Sequence, residues 1–351
     1  MVKKVLIVDD SALVRRQLTE IIQTLNFEID IAKNGKEAVE KATSTQYDVI
    51  TMDINMPVMD GIEAVKKIMR IKPTAILMIS SLTIQDAEIT MKAMDAGAID
   101  YITKPGTMNV GKAKNAQDIV ELVKCLSSIP KRRLQRKVNK SVNRERKVVA
   151  QSVEQIGDSR DIQKVVLIGS STGGPGLIEQ ICAGVPINYK YPICIVQHMP
   201  EKFTKVFSQR LNDSSVLDVH ETTHDMELLP GNIYVARGGV HMNFAKKTSG
   251  KIVIREDKEK GDNFFQPSVN DMMSSALNIF DGENLIGVLL TGIGDDGADS
   301  MVKLKKAGAY TLGESEESAT VYGMPRVAFE KGGVSEQLNF SDILKKIVTL
   351  K

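Results

Sequence analysis

The chain has no tryptophan among its 351 residues, and only 5% of its residues are aromatic, so its packed cores must be aliphatic. Its three cysteines are too few and too scattered for a disulfide framework or a CxxC metal site. No stretch approaches the roughly 20 apolar residues that a membrane helix needs, and the opening MVKKVLIVDDS lacks a signal-peptide pattern. These absences predict a soluble, cytoplasmic protein that is not embedded in a membrane.

The chain also lacks a general excess of positive charge. Its net charge is +2, but residues 131–147 hold nine Lys/Arg and one Glu, a local +8 that leaves −6 for the remainder. Nucleic-acid binding would therefore depend on this one segment. Because the segment has no aromatic residue and no helix-turn-helix pattern follows the first half of the chain, we favour a solvated linker and expect no nucleic-acid partner.

The first half of the chain alternates short β-branched runs with helical patterns. Five such repeats predict an α/β domain with a doubly wound parallel sheet and helices on both faces, which we assign to residues 1–128. The predicted strands lie at 4–9, 27–32, 47–53, 74–80 and 98–104, and the predicted helices at 11–25, 35–44, 61–71, 83–96 and 115–128.

A second α/β pattern begins at residue 164, after a charged, polar stretch at 129–163 that we interpret as a basic linker. The segment 216–254 is rich in β patterns. Residues 164–351 are therefore predicted to form a second doubly wound domain with an inserted β section. Strands of its sheet are predicted at 164–170, 192–198, 284–292 and 309–314, with helices at 268–280 and 296–306.

Acidic residues are predicted to meet at the carboxyl edge of the first sheet, where chemistry collects in open parallel sheets. Asp9 and Asp10 end the first strand, Asp53 ends the third, and Lys104 ends the fifth. Three clustered carboxylates repel one another, so we expect a cation among them, and oxygen ligands suit Mg²⁺. Asp53 can then act as the nucleophile that forms an aspartyl phosphate.

The motifs VLIVDDS, MDINMPVMDG and ITKP resemble the three signatures of response-regulator receivers, which have a flavodoxin-like fold. The resemblance covers about the first 125 residues. It implies that a histidine kinase donates phosphate to Asp53. It also implies that Mg²⁺ binds at Asp9, Asp10 and Asp53, with help from the backbone of Asn55.

The receiver resemblance further implies residues that respond to phosphorylation. Lys104 would contact the phosphoryl group, and Ser80 and Tyr101 would rearrange. Ser80 is preferred because it directly follows the apolar run, although Ser81 would fit one residue later.

The second domain contains a candidate nucleophile, a serine in a segment flanked by glycines. Residues 169–173 read Gly-Ser-Ser-Thr-Gly between an apolar run and a predicted helix, which is typical of a nucleophile elbow. The glycines permit a tight turn, Ser171 would project from its tip, and N–H groups at the helix start can stabilise an oxyanion. The alternatives are a phosphate loop or a plain strand–helix turn. The spacing fits neither GxGxxG nor the Walker A pattern, which disfavours the phosphate loop.

A serine nucleophile needs a base, and the chain offers four histidines. His198 alone ends a strongly apolar run, in the same topological position as Ser171. His220 and His224 have the i,i+4 spacing of a helical metal site, but their surroundings indicate strand and loop. We therefore expect those two to be ordinary exposed histidines.

The third member of a triad should be an acid at another strand end. Asp295 and Asp296 follow the apolar run at 284–292, and either of them can instead cap the next helix. The resulting order Ser, His, Asp differs from the Ser, Asp, His of α/β-hydrolases. A triad is defined by geometry and not by order, so the chemistry remains possible.

The motifs GSSTGG, QHMP, PSV, LTGIG-DGA and YGMP resemble the catalytic domain of chemotaxis protein-glutamate methylesterases, the CheB family. With the receiver in front, the whole chain is similar to that family. The resemblance implies a Rossmann-like three-layer esterase domain with a catalytic triad of Ser171, His198 and Asp296. It implies backbone oxyanion donors near Thr172 and Ile293, and no cofactor for the esterase reaction.

The implied function is that of a phosphorylation-activated serine hydrolase in chemotactic adaptation. Its substrates would be glutamyl methyl esters on methyl-accepting chemoreceptors, with methanol as product, and receptor glutamines would be deamidated by the same chemistry. A chemotaxis histidine kinase would be the phosphodonor. Ser170 stands where the family usually has alanine. A general serine esterase or amidase with an unrelated substrate is a further alternative, after the nucleic-acid-binding output considered above.

Overall fold

The computed structural model describes residues 2–81, 83–105, 112–134, 158, 162–259 and 265–350. The chain divides into two compact units, residues 1–146 and 147–351. Most of the basic segment at 131–147 and of the predicted linker lies outside the described residues. Within the described residues, no helix has the length and apolar character that crossing a membrane requires.

The first unit is a five-stranded parallel sheet in the order β2-β1-β3-β4-β5. The predicted doubly wound parallel sheet is confirmed. Its strands are β1 (Lys4–Val8), β2 (Glu28–Ala32), β3 (Val49–Asp53), β4 (Ala75–Ser80) and β5 (Asp100–Thr103). Its helices are α1 (Ala12–Ile22), α2 (Gly35–Ser44), α3 (Gly61–Ile71), α4 (Ile84–Asp95) and α5 (Lys112–Leu126), and a short 3₁₀ turn (Gln23–Leu25) extends α1.

Local sequence explains where the helices of the first unit begin. The side chains of Ser11, Asn34, Asp60 and Thr83 each accept a hydrogen bond from the backbone N–H three residues later. This satisfies a donor that the first turn of a helix otherwise leaves unpaired. The central strands β3 and β4 are buried along their whole length, as expected for strands covered by helices on both faces.

The second unit is built on a seven-stranded parallel sheet in the order β15-β14-β13-β6-β7-β10-β8. Its strands are β6 (Val165–Ser170), β7 (Ile193–Gln197), β8 (Val219–Glu221), β10 (Ile233–Val235), β13 (Leu285–Leu289), β14 (Tyr310–Glu314) and β15 (Glu336–Leu338). The helices are α6 (Pro175–Gly184), α7 (Glu201–Ser214), α8 (Val269–Ala276), α9 (Ala298–Lys306), α10 (Met324–Glu330) and α11 (Phe340–Val348), with a 3₁₀ turn at Gly282–Asn284.

The β-rich middle of the second unit divides between two sheets. Strands β8 and β10 join the parallel sheet beside β7, whereas β9 (Met226–Glu227), β11 (His241–Lys246) and β12 (Ile252–Asp257) form a separate antiparallel sheet. The inserted β section is therefore smaller than the pattern indicated, because β10 pairs in parallel with β7. The predicted fold class is confirmed.

The strand order decides where chemistry can collect in the second unit. Strands β13, β6 and β7 are direct neighbours at the centre of the sheet, and all three run in the same direction. Their carboxyl ends therefore meet at one edge, which is where parallel α/β sheets bind ligands. The residues that follow these three strands form the site described next.

Candidate active site and phosphoacceptor site

Ser171 directly follows β6, in the turn that leads to α6. The turn requires glycine, because Gly173 has a φ of +79° and a Cβ at that residue would lie 2.6 Å from Thr320. Ser171 donates its backbone N–H to the Thr291 carbonyl at 3.0 Å. The chain therefore presents Ser171 at a sharp strand-to-helix turn that is fixed to the loop after β13.

His198 directly follows β7, the strand next to β6. Ser170 and Gln197 are paired in the parallel register, so the residues after them, Ser171 and His198, leave neighbouring strand ends together. The imidazole Nε2 lies 2.8 Å from Asp296 Oδ2. The Phe265 ring stacks on the imidazole, with 3.9 Å between centroids and 9° between planes. One nitrogen and one face of the imidazole are therefore occupied.

Asp296 follows β13 and accepts hydrogen bonds on both carboxylate oxygens. Oδ1 accepts from Ser268 Oγ at 2.9 Å and from the Asn270 N–H at 3.0 Å, while Oδ2 accepts from the Val269 N–H at 2.7 Å and faces His198. Burial would raise the pKa of Asp296, but hydrogen bonds from His198 and these backbone groups hold it below its usual range. Asp296 is therefore ionised and held at the start of α8.

The neighbouring acid is in a different environment. Asp295 is exposed, whereas Asp296 is buried. The structure thus distinguishes the two carboxylates that the sequence offered, and only Asp296 contacts His198.

The remaining imidazole nitrogen faces away from Asp296. Within the described residues, Nδ1 of His198 is buried and has no hydrogen-bond partner, and no hydrogen bond joins it to the hydroxyl of Ser171. Such bonds are often long in enzymes without substrate and shorten in the complex. Nδ1 is therefore the nitrogen that can receive the serine proton.

Two backbone N–H groups lie beside Ser171 and are candidates for oxyanion binding. A Cβ at Gly292 would lie 2.8 Å from the Ser171 Cβ, so the loop that carries Ile293 packs against the serine side chain. Among the described residues, none accepts a hydrogen bond from the backbone N–H of Thr172 or of Ile293. Both groups can therefore donate to a developing negative charge.

Ser170, the other serine of the turn, is fully buried, and its hydroxyl is already hydrogen-bonded. Its Oγ lies 2.6 Å from Gln197 Oε1, and the Gln197 amide donates to the Ser171 carbonyl at 3.0 Å. This arrangement leaves Ser171 as the serine that can attack. Sequence reasoning missed Gln197, although a polar residue at the end of an apolar strand was a usable signal. It also missed Phe265, for which spacing gives no signal.

Two other histidines, His220 and His224, have partners outside this site. His220 is half-buried on β8, where Nε2 lies 3.0 Å from Asn232 Oδ1, so it is less exposed than we expected. His224 is exposed and contacts Arg255. Among the described residues, neither histidine belongs to a cluster that could bind a metal.

In the first unit, three carboxylates converge after β1 and at the end of β3. Oxygens of Asp9, Asp10 and Asp53 lie within 4.8 Å of one another. Asp9 and Asp53 are buried, and Lys104 Nζ lies 3.2 Å from Asp9 Oδ2 and 2.9 Å from Asp53 Oδ2. Lys104 contacts two of the three carboxylates, and the Arg15 guanidinium donates to the backbone carbonyls of Asp9 and Asp10, so among the described residues three carboxylates face two cations.

Burial and charge shift the ionisation of this cluster. Burial, with a smaller contribution from the Asp9 charge, raises the pKa of Asp53 to about 6, although Lys104 opposes the shift. Burial also raises the pKa of Asp9. An all-oxygen cluster with uncompensated negative charge fits a hard divalent cation such as Mg²⁺.

Of the predicted switch residues, Ser80 lies at the end of the strand next to Asp53. Ser80 ends β4, is buried, and accepts a hydrogen bond from Thr90 Oγ1 at 3.1 Å. The Ser81 hydroxyl instead bonds to Asp86, a residue that sequence reasoning missed. Tyr101 is buried on β5.

Asn55 lies in the loop after β3 and is exposed. Its side-chain amide donates to Asp86 Oδ1 at 3.3 Å. Asp86 thus accepts from the two loops that flank the acidic cluster.

Comparisons with known proteins cover both units. A family model described as CheB methylesterase matches residues 166–347, and one described as response regulator receiver domain matches residues 5–123. The protein-glutamate methylesterase/protein-glutamine glutaminase 2 of Carboxydothermus hydrogenoformans is 43% identical over 99% of this chain and 98% of its own. The Archaeoglobus fulgidus relative of the same description is 40% identical over 98% and 97%.

A solved structure resembles the second unit. The catalytic domain of the Thermotoga maritima CheB methylesterase is 36% identical, with a TM-score of 0.51. The match covers 54% of this chain and 98% of that domain.

Proposed function

The chain belongs to the CheB family of protein-glutamate methylesterases/protein-glutamine glutaminases with a receiver domain, and we propose that Ser171, His198 and Asp296 carry out its reaction. The enzyme hydrolyses glutamyl methyl esters and deamidates glutamines under the control of phosphorylation, in chemotaxis. We assign the receiver to residues 1–128, the linker to 129–163 and the catalytic domain to 164–351.

The first chemical step forms an acyl-enzyme. Ser171 Oγ attacks the side-chain carbonyl carbon of a glutamyl methyl ester while His198 Nδ1 accepts the hydroxyl proton. The carbonyl oxygen becomes negative in the tetrahedral intermediate. The intermediate collapses as the bond to the methoxy oxygen breaks, and His198 returns the proton to that oxygen, which releases methanol.

The second step restores the enzyme. Water attacks the acyl carbon, His198 Nδ1 accepts one of its protons, and the proton then passes to Ser171 Oγ as the acyl bond breaks. The products are the free glutamate side chain and intact Ser171. With a glutamine substrate the same sequence releases ammonia instead of methanol.

Two sets of groups stabilise the charges that develop. Asp296 fixes the proton of His198 on Nε2 and stabilises the imidazolium cation that forms when Nδ1 is protonated. The N–H groups of Thr172 and Ile293 donate to the oxyanion, and each such donor contributes about 3 kcal/mol. These terms act on the transition state, so they raise the rate and not only substrate affinity.

One observation supports this assignment above all. An ionised, buried Asp296 lies 2.8 Å from Nε2 of His198, and His198 follows the strand next to the one that precedes Ser171. No cofactor is assigned to the esterase reaction.

The test is methanol release from methylated chemoreceptors. We expect Ser171→Ala to abolish release, because the hydroxyl of the neighbouring Ser170 is buried and bonded to Gln197. Ser208→Ala is the matched control, since Ser208 is also buried but lies on α7. Normal methanol release by the Ser171 variant would contradict the assignment.

In the receiver, we propose that Asp53 accepts phosphate from a chemotaxis histidine kinase. The Asp53 carboxylate attacks the phosphorus atom, the bond from phosphorus to the kinase histidine nitrogen breaks, and that histidine leaves. Lys104 Nζ, which lies 2.9 Å from Asp53, contacts the transferred group. Mg²⁺ held by Asp9, Asp10, Asp53 and the Asn55 backbone would offset the negative charge of the phosphoryl oxygens. Ser80 and Tyr101 then change position.

Methyl-accepting chemoreceptors are the proposed substrates, and the cytoplasm is the proposed location. We further propose that the unphosphorylated receiver restrains the catalytic domain, because the family resemblance implies it. Deletion of residues 1–150 should then raise basal methanol release. A truncated enzyme no faster than the unphosphorylated full chain would contradict the restraint, while leaving the catalytic residues unaffected.

A further inference from the structure

We propose that Gln197 is a positioning residue for the oxyanion hole. We further propose that Ser170 holds the Gln197 amide in the orientation that donates to the Ser171 carbonyl. The inference rests on the proposed roles of Ser171 as nucleophile and of the Thr172 N–H as oxyanion donor. It assigns a role to the hydroxyl that this chain carries beside its nucleophile.

The argument begins with the peptide bond between Ser171 and Thr172. A trans peptide is planar, so its C=O and N–H point in opposite directions. The Ser171 carbonyl accepts two hydrogen bonds, from the Gly174 N–H at 2.8 Å and from Gln197 Nε2 at 3.0 Å. With the carbonyl held on one side, the Thr172 N–H is directed to the other.

The second candidate donor is held by the same principle. The peptide bond that carries the Ile293 N–H also carries the Gly292 carbonyl, which accepts from the Gly323 N–H at 3.1 Å and from the Met324 N–H at 3.0 Å. Both donors of the oxyanion hole therefore belong to peptide groups whose carbonyl oxygen accepts two hydrogen bonds. The difference is that one of the four bonds comes from a side chain, that of Gln197.

The Ser171 carbonyl can only accept, so it selects the amide orientation with Nε2 towards it, and Ser170 stabilises that orientation through Oε1. Ser170 Oγ lies 2.6 Å from Oε1, and a hydroxyl that donates to Oε1 leaves Nε2 directed at the Ser171 carbonyl. Both side chains are buried. Without this hydroxyl, the buried amide has no hydrogen-bond donor to its oxygen among the described residues and its orientation is less strongly fixed.

Packing restricts the pair further. A Cβ at Gly174 would lie 2.5 Å from Gln197 Oε1 and 2.7 Å from Ser170 Oγ. Gly174 thus lies against both polar atoms and donates the other bond to the Ser171 carbonyl. The hydroxyl, the amide and the turn form one compact unit around the nucleophile.

The test compares Gln197→Met and Ser170→Ala with the unaltered full-length enzyme. Methionine keeps the length of the side chain but donates no hydrogen bond. Loss of an entire oxyanion donor lowers kcat by about 10²–10³-fold, so a misdirected donor should lower it by about 10-fold to 100-fold. KM should change little, because the affected bond acts in the transition state.

Three measurements separate positioning from general damage. A thionoester substrate places sulfur where the oxyanion forms, and sulfur gains less from N–H donors, so the ratio of ester to thionoester rates should fall in Gln197→Met. Ser170→Ala should lower kcat several-fold in the unaltered enzyme and have no further effect in Gln197→Met, if Ser170 acts through Gln197. The pH at which the rate is half-maximal should not move.

Gln180→Met is the matched control, because Gln180 also donates a side-chain hydrogen bond to a backbone carbonyl, that of Gly176, but within α6. A Gln197 variant as active as this control would overturn the inference, as would equal losses on ester and thionoester. If Gln197→Met does not fold, the ester-to-thionoester ratio of Ser170→Ala decides. Activity in Ser171→Ala would instead refute the proposed function.

Discussion

Replacing Asp296 by asparagine tests the central contact of the proposed triad. The carboxylate accepts two hydrogen bonds on each oxygen, with His198 and Val269 on Oδ2 and Ser268 and Asn270 on Oδ1. An amide offers one acceptor and one donor group. Whichever way it is placed, its NH₂ must face two groups that were donating to Asp296.

The expected loss follows from where that NH₂ is placed. If it takes the position of Oδ2, Nε2 of His198 can bond to it only as an acceptor, so the imidazole proton moves to Nδ1. Nδ1 is then unable to receive the proton of Ser171. A wrong tautomer of this kind lowers kcat by about 10⁴-fold in serine hydrolases, or about 5 kcal/mol.

The stability of the enzyme should fall by much less than its activity. Hydrogen bonds to charged groups contribute about 1.5–3 kcal/mol each, so the free energy of unfolding should decrease by a few kcal/mol. A large loss of kcat in an enzyme that still unfolds cooperatively would separate catalysis from folding. The Asp296 carboxylate is buried at the start of α8, so both effects must be measured.

The assay is methanol release from methylated receptor, with unfolding followed in urea. Asp295→Asn is the control, because it makes the same chemical change on the adjacent, exposed residue, and we expect nearly full activity. If the imidazole proton of Asp296→Asn is on Nδ1, as NMR of the ring nitrogens reports, a loss of less than tenfold in kcat would refute the proposed proton path.

Three further predictions concern the receiver and the turn beside the nucleophile. The pKa of Asp53 is raised to about 6, and the carboxylate must be ionised to attack phosphorus. Phosphorylation by a small phosphodonor without Mg²⁺ should therefore slow as pH falls through about 6, and Mg²⁺ should move that midpoint to lower pH. A phosphorylation rate that does not depend on pH between 5 and 7 would contradict this. Lys104→Met should move the same midpoint to higher pH, since the lysine opposes the shift, and an unmoved midpoint would show that its charge is unimportant. Gly292→Ala should lower kcat at least 100-fold, because its Cβ would lie 2.8 Å from that of Ser171, whereas Gly184→Ala, at the end of α6, should remain active.

The sequence predicted the sheets because their strands are short, apolar and regularly interrupted by helical patterns. It also placed Ser171 and His198 at strand ends, and parallel strands bring such ends to one edge. The assignment of β8 and β10 to the parallel sheet was not predictable, because a three-residue strand carries too little pattern to reveal its partner. Pairing between strands is a tertiary property.

Within the site, the contacts between residues far apart in the sequence could not be predicted. Which of Asp295 and Asp296 turns inward depends on the N–H groups at the start of α8, and no spacing rule relates that helix to β13. The ring of Phe265 covers His198 from 67 residues away. The hydrogen bond between Ser170 and Gln197 joins the ends of two neighbouring strands. A hydroxyl to which the sequence assigned no role therefore has a defined partner.

The coverage of His198 has a consequence for the order of events in a catalytic cycle. In the proposed mechanism, Nε2 of His198 is bonded to Asp296 and Phe265 covers one face of the ring, so Nδ1 serves every proton exchange. The departing alcohol and the incoming water must therefore use the same place in turn. Methanol has to diffuse away before hydrolysis can finish, so its appearance precedes that of the free acid in each turnover.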